Sequence, residues 1–371
     1  MSTARTIRTA PTTRTTGKAL VIGGGIAGPV AALALHGAGI EAEVFEAYPT
    51  AAGGIGGTFM TAPNGLAALA AVGLEAEVAA IGQRIDRMVI EDAGNGVLGE
   101  FPEVSGRVMR RAELYAVLQR RLRREGIPVR YAKRLTGVEE RTTGITARFA
   151  DGTTADGDLV IGADGTRSAV RGLIDPAAPG PRYTGLIGIG GHSAHRLDGP
   201  RAAGESIHFA QGPRAFFGYW ALRDGTGTAW FSNIPRPGQP TPEQVRAVSR
   251  EDWLALVRER HAEDLPAREV LAAADEASVE VFPRLEIMPS VPHWYRDRMV
   301  LVGDSVHAPS NSSGQGVSLA AESAVELARC LAGQPDLASA LAAYEGARRP
   351  VVEEVAARAA VVNGRKASAG V

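Results

Sequence analysis

The stretch Lys18-Ala-Leu-Val-Ile22-Gly23-Gly24-Gly25-Ile26-Ala27-Gly28-Pro29 decides how the chain begins to fold. Ala19 to Ile22 is a short apolar run ending in glycine, which predicts a buried strand. Ile26 to Ala38 is a small-residue helix stopped by Gly39, and Glu41-Ala-Glu-Val-Phe-Glu46 is a second strand. A strand, a crossover helix and a strand in succession imply a parallel sheet. Between the first strand and the helix, Gly23, Gly25 and Gly28 fit the pattern G-x-G-x-x-G. Gly23 permits the tight turn, Gly25 lets a pyrophosphate approach the backbone, and Gly28 lets helix and strand close together. The amides at the helix start, including those of Ile26 and Ala27, face the phosphates. Pro29 sits near the limit at which a helix tolerates a missing N–H. Glu46 ends the second strand where a carboxylate accepts from a ribose hydroxyl and repels a 2′-phosphate. The unit therefore suits FAD or NAD rather than NADP.

Two further strands end in acids. Asp158-Leu-Val-Ile-Gly-Ala-Asp164-Gly165 is followed by Ser168 and Arg171; read alone, Asp164-Gly165 is a plain turn. Val300-Leu-Val-Gly303-Asp304-Ser-Val-His307 precedes Gly314-Gln315-Gly316, which opens another helix with free amides. A simple NAD-dependent dehydrogenase has no use for this second anion-friendly terminus. A longer cofactor has.

Composition narrows the classes. The chain has 371 residues, 45% apolar and 22% charged, enough for two domains or one with a large insertion. The formal charge is -1, so no basic field marks a nucleic-acid binder. A single cysteine, Cys330, excludes an internal disulfide and a cysteine-based metal cluster, and points to a reducing cytoplasm. Lysine occurs only at positions 18, 133 and 366, which with 45 glycines suggests a GC-rich genome. Residues 1–16 read as a disordered arm, without the apolar pattern of a transit peptide. Ala19 to Ile40 lacks charge, but its glycines and Pro29 fit the nucleotide motif better than a membrane span.

Helices are expected at Asn64 to Val72, Ala112 to Arg124, Gly314 to Leu331 and Leu337 to Val362. Arg84 to Glu91 looks extended, Leu135 to Ala150 looks like a hairpin, and Met299 to Val302 like a buried strand. From Tyr183 to Ile234, short aromatic runs punctuated by Gly, Pro and Asp predict an antiparallel sheet. The expected plan is an α/β nucleotide-binding fold in three parts, 17–83, 106–176 and 291–371. Strands at 84–105 and a β-sheet domain at 177–290 interrupt it, and helices end it.

The three motifs, in this order, resemble the single-component FAD-dependent monooxygenases, the para-hydroxybenzoate hydroxylase family, over about Lys18 to Leu331. The resemblance implies that fold: a Rossmann-like FAD domain with an inserted antiparallel substrate sheet. It implies that Gly23 to Gly28 and Glu46 hold the ADP half of FAD, that Asp164-Gly165 is the DG motif, and that Asp304 holds a ribose or ribityl hydroxyl. Arg111 fits the arginine near the FAD phosphates, with Arg110 competing. Gly314, Gly316, Val317 and Ser318 fit the loop beside the flavin ring. Two departures stand out: Asn311 occupies the usual proline position, and the acidic pair of the next helix is reduced to Glu322 followed by Ser323.

The resemblance further implies NADPH or NADH as reductant and O2 as oxidant, acting through a flavin C4a-hydroperoxide on an electron-rich small molecule. An aromatic or polyketide-like compound in secondary metabolism is the expected substrate. Epoxidation, Baeyer–Villiger insertion, an O2-independent dehydrogenase or reductase, and a flavin-binding sensor remain alternatives. No metal, nucleic acid or membrane partner is expected, and the chain is a monomer or homodimer. Gly53 to Gly57 reads as a flavin-side loop. Phe217 and Tyr219 share one face of a strand and Phe216, Gly218 and Trp220 the other, with Trp230 and Ser232 similarly aligned; Phe217, Tyr219 and Trp230 are expected as pocket walls, against the alternative that they are core. His192, His208 and His307 are the histidines considered as bases, and none is assigned.

Overall fold

The computed structural model describes residues 17–50 and 57–368, so the arm at 1–16 and most of the Gly53 to Gly57 loop lie outside it. Four sheets and ten α-helices follow among the described residues. The first sheet has six strands in the order β18 (Tyr295–Arg296), β19 (Met299–Leu301), β10 (Leu159–Gly162), β1 (Lys18–Ile22), β2 (Glu41–Phe45) and β6 (Val129–Arg130). All pairs but β18–β19 are parallel. Register places Ile22 opposite both Phe45 and Gly162, and Gly162 opposite Leu301. The three loops that carry the motifs therefore leave the sheet side by side at its carboxyl edge, where ligands of open α/β sheets collect. Helices α1 (Ala27–Gly37), α4 (Arg111–Arg124), α5 (Ala169–Ile174) and α9 (Gly316–Gly333) bury this sheet in one apolar core.

The second sheet has eight strands: β16 (Glu280–Phe282), β12 (Leu186–Ser193), β15 (Thr228–Pro235), β14 (Phe216–Ala221), β13 (Ser206–Gln211), β4 (Gln83–Asp92), β5 (Val97–Arg110) and β3 (Thr58–Thr61). Only β13–β4 is parallel. The expected boundary between residues 105 and 106 falls inside β5, which runs on until α4 begins. β3 also joins this sheet, and α2 (Pro63–Ala71) and α3 (Glu75–Ile81) follow it. The predicted hairpin gains a third strand, as β7 (Leu135–Arg141), β8 (Gly144–Phe149) and β9 (Thr154–Gly157) form a small sheet. β11 (Arg182–Tyr183) pairs with β17 (Glu286–Ile287). The final helix α10 (Leu337–Ala367) runs beyond the expected Val362. No described helix is long and apolar enough to cross a membrane.

Three helices lie within the 177–290 β-sheet domain, beyond the strands expected up to Ile234: α6 (Pro242–Arg246), α7 (Arg250–Arg260) and α8 (Ala267–Ala272). Trp253, Leu254 and Val257 of α7 and Val270 and Leu271 of α8 close over one face of the eight-stranded sheet. Phe217, Tyr219 and Trp230 lie in that closed core, each at most 2% exposed, and not on an open pocket wall. The covering helices are the reason: alternation along a strand separates two faces but does not say which one is covered. Polar pins lock the layer. The Tyr219 hydroxyl donates to Glu91 Oε2 at 2.6 Å, and His208 and Arg201 reach Glu91 Oε1. Burial works to raise the Glu91 carboxyl, but the hydrogen bonds from His208 and Tyr219 hold it below its ordinary range. Ser232 Oγ meets His261 Nε2 at 2.8 Å, and His261 Nδ1 meets Asp264 at 2.7 Å. This has the connectivity of a hydrolytic triad, yet all three residues are sealed in the core. It serves to tie the end of α7 to β15. Phe217→Ala should cost about 3–5 kcal/mol of unfolding free energy in urea titration, since it empties a closed core site.

Candidate active site

The first loop is built by close approach. Gly23 has φ +110°, and a Cβ on Gly28 would fall 1.9 Å from the Gly23 carbonyl oxygen. A Cβ on Gly25, by contrast, would meet no described atom within 4 Å. The loop is thus sealed against its own sheet and open outward at Gly25, the shape a pyrophosphate needs. Pro29 is the third residue of α1, and the first backbone bond back to Ile26 comes from Val30, so the ring removes no helical hydrogen bond. Glu46 accepts from the amides of Gly24 at 2.8 Å and Tyr48 at 2.9 Å. A carboxylate has about four acceptor sites, so capacity remains for a ligand hydroxyl.

The second loop has a structural task of its own. Asp164 accepts from the Ser168 hydroxyl at 2.5 Å and from the amides of Ala169 and Val170, which fixes the start of α5. Burial nonetheless pushes its carboxyl up. Arg171 donates from one guanidinium to the carbonyls of Thr166 and Ser305, at 2.7 and 2.8 Å. It clasps the second motif loop to the third.

Unfilled groups gather at the third loop. Asp304 accepts no hydrogen bond from any described residue; burial raises its carboxyl, and the nearby Arg111 charge works to lower it. The Arg111 guanidinium is exposed and makes no ion pair among the described residues. Arg110 is engaged with Glu280 at 3.3 Å. Of the two arginines, then, Arg111 is the one free to meet an anion beside Asp304. Gly314 has φ +63°, which ends the turn at Asn311–Ser313. The first hydrogen bond of α9 runs from the Leu319 amide to Gln315, leaving the amides of Gly316, Val317 and Ser318 without partners among the described residues. The Ser318 hydroxyl is engaged by the Ala62 amide at 2.9 Å, so only its backbone is available. An open turn at Gly25, a part-buried carboxylate with no described hydrogen bond, a guanidinium with no described ion pair and three amides with no described partner, all on one sheet edge, fit a long dinucleotide.

Ser323, at the reduced acidic pair, bridges His307 Nε2 at 2.9 Å and Arg348 Nε at 3.2 Å, while Glu322 pairs with Arg348 at 2.8 Å. Burial and the Arg348 charge push His307 down to about 3, so it is neutral. His208 lies under the sheet with Glu91, and His192 stands half-buried near the end of β12.

The other face of the large sheet turns toward the loop at 311–314. Asn311 donates to Asn233 of β15 at 3.2 Å, and a Cβ on Gly314 would lie 3.5 Å from Met60. Phe209, Phe216 and Phe231 form a partly exposed triad here, with centroids 5.6 to 6.2 Å apart. Alternation along the strands separates two faces, and the expected pocket walls Phe217, Tyr219 and Trp230 fall on the covered one. The available signal was the helical spacing of Trp253, Leu254 and Val257, which announces a cover for one side.

These features define a dinucleotide-binding oxidoreductase with a separate sheet over its cofactor edge. The family model described as FAD binding domain matches residues 16–359, and the chain belongs to that family. It is a FAD-dependent monooxygenase of the para-hydroxybenzoate hydroxylase kind. It is 31% identical to the aurachin C monooxygenase/isomerase of Stigmatella aurantiaca, covering 89% of this chain and 84% of that one. It is 30% identical to the FAD-dependent urate hydroxylase of Klebsiella pneumoniae, covering 92% and 88%. The crystal structure of Klebsiella pneumoniae HpxO complexed with FAD and uric acid superposes with a TM-score of 0.82 at 27% identity, covering 95% and 89%.

Asp304→Ala should weaken FAD retention roughly 10–100-fold through loss of a charge-assisted hydrogen bond, and Arg111→Ala should act in the same direction. Arg110→Ala should change it by no more than about twofold, since its surface ion pair is worth little. Flavin titration of the apoprotein, followed by fluorescence, measures all three.

Proposed function

We propose that the chain is a single-component hydroxylase that uses NADPH or NADH and O2 to oxygenate an aromatic or polyketide-like small molecule in secondary metabolism. The observation that carries this reading is the partly exposed aromatic triad on the sheet face turned toward the 311–314 turn, the face that α7 and α8 leave uncovered. When bound, FAD supplies the hydride acceptor and the oxygen-activating centre. Gly23, Gly25, Ile26, Ala27, Gly28 and Glu46 would hold its ADP half, Arg111 its phosphates, and Asp304 a hydroxyl of the chain between. The amides of Gly316, Val317 and Ser318 would stabilise negative charge at the ring edge, as fixed donors do in a water-poor site. Phe209, Phe216 and Phe231 would offer ring faces to a planar substrate and exclude water from it. Met60 and Asn233 would complete that wall. Three relatives named for aromatic or heteroaromatic oxygenation support this substrate class: the urate hydroxylase, the 3-amino-4-hydroxybenzoate 2-monooxygenase of Streptomyces cremeus and the kynurenine 3-monooxygenase of Salinispora arenicola.

The purified protein should carry yellow flavin and oxidise NADPH or NADH slowly, and a matching phenol or polyketide should accelerate flavin reduction under anaerobic conditions. With isotopically heavy O2, one labelled oxygen should enter the product. A colourless protein after reconstitution, or substrate oxidation without label incorporation, contradicts the reading.

A further inference from the structure

Near the end of α10 the usual order of polar and apolar residues is inverted. Val361 and Val362 face solvent at 58% and 40% exposure, while Lys366 is buried at 4%. A lysine so close to a helix end can ordinarily carry its ammonium to water along its flexible stem. Lys366 instead places Nζ 3.4 Å from the centroid of the Phe216 ring. No described carboxylate pairs with it and no described acceptor hydrogen-bonds it. The other two lysines are paired, Lys18 with Glu43 at 3.1 Å and Lys133 with Asp151 at 2.5 Å. An aromatic face offsets only part of the cost of desolvating an ammonium. Burial accordingly pushes Lys366 down to about 7, which an adjacent anion would reverse.

The surroundings are unfinished in the same way. α10 touches both the 311–313 turn and β15. On these elements the Oδ1 of Asn363 and the hydroxyl of Ser312 are buried without hydrogen-bond partners. Asn363 donates its Nδ2 to Thr184, and Asn311 donates to Asn233, whose strand pairs it directly with Phe216. A cation over Phe216, an amide pair beside that strand position and two unsatisfied polar atoms on the adjoining α10 and 311–313 turn thus belong to the elements that meet on the side of Phe209, Phe216 and Phe231.

We propose that Lys366 is a substrate-recognition residue whose ammonium receives an ionised oxygen, carboxylate or phenolate, of an aromatic substrate lying on this face. The proposal rests on the reading that this face covers the flavin site. The test uses the full-length FAD-loaded protein, grown with lysine labelled at Cε, so that three signals report three lysines. Lys366→Arg identifies the third by its absence. The probes are 3-hydroxybenzoate for the carboxylate, 4-nitrophenolate for the phenolate, and 3-hydroxybenzamide as the neutral match. At least one anion should shift the Lys366 signal saturably while Lys18 and Lys133 stay still, and calorimetry should show it binding about tenfold or more tighter than the amide. Lys366→Met should bring that preference to within about twofold while flavin content and Tm hold, and Lys366→Arg should retain part of it. An unmoved Lys366 signal with every probe, or an undiminished preference in Lys366→Met, overturns the proposal. The lysine signal does not depend on flavin, so a protein that binds no flavin refutes the enzyme reading separately. A working hydroxylase that is indifferent to substrate charge refutes only this one.

Discussion

Leu20, Val21 and Ile22 pair in parallel with Val160 to Gly162, and these pair in turn with Met299 to Leu301. The candidate site depends on this pairing. Each strand ends in a loop with polar groups, and parallel register brings the three loops out at one level. Parallel neighbours need long crossovers, so the residues that meet here are separated by most of the chain. Arg171 reinforces the arrangement, donating to the Thr166 and Ser305 carbonyls from a buried position. Removing the clasp would leave two carbonyls unsatisfied and free two motif loops from one another.

The large sheet is a divider with unlike faces. Under α7 and α8 it is sealed, and its buried charged and hydroxyl groups pair with one another, as in the Glu91 cluster and the Ser232, His261 and Asp264 chain, while the Trp230 indole N–H there has no described partner. Toward the 311–314 turn it is aromatic and partly open, and polar atoms there lack partners. Satisfied networks rigidify a core, whereas unsatisfied groups at an opening await a ligand. The contrast, more than any single residue, separates scaffold from candidate site.

Two departures from the family pattern have a physical account. Asn311 stands where proline is usual, and its amide reaches Asn233, adding a hydrogen bond between the turn and the sheet. Ser323 replaces the second acid, and its hydroxyl serves both His307 and Arg348. With His307 neutral, a second carboxylate is not required to balance it. Glu322 alone meets the Arg348 charge.

The glycine turn, Glu46, and the acids ending the second and third strands were legible in the sequence because they obey local rules of spacing and strand-end chemistry. So was the alternation that sets Phe217 and Tyr219 against Phe216 and Trp220. Tertiary structure alone decided which face is open, because α7 and α8 cover residues far from them along the chain. It also pairs Arg110 with Glu280 of a distant strand and leaves Arg111 without an ion pair among the described residues. Lys366 had no local signature at all. Only the docking of α10 against β15 and the 311–313 turn removes its ammonium from water and sets it over an aromatic ring.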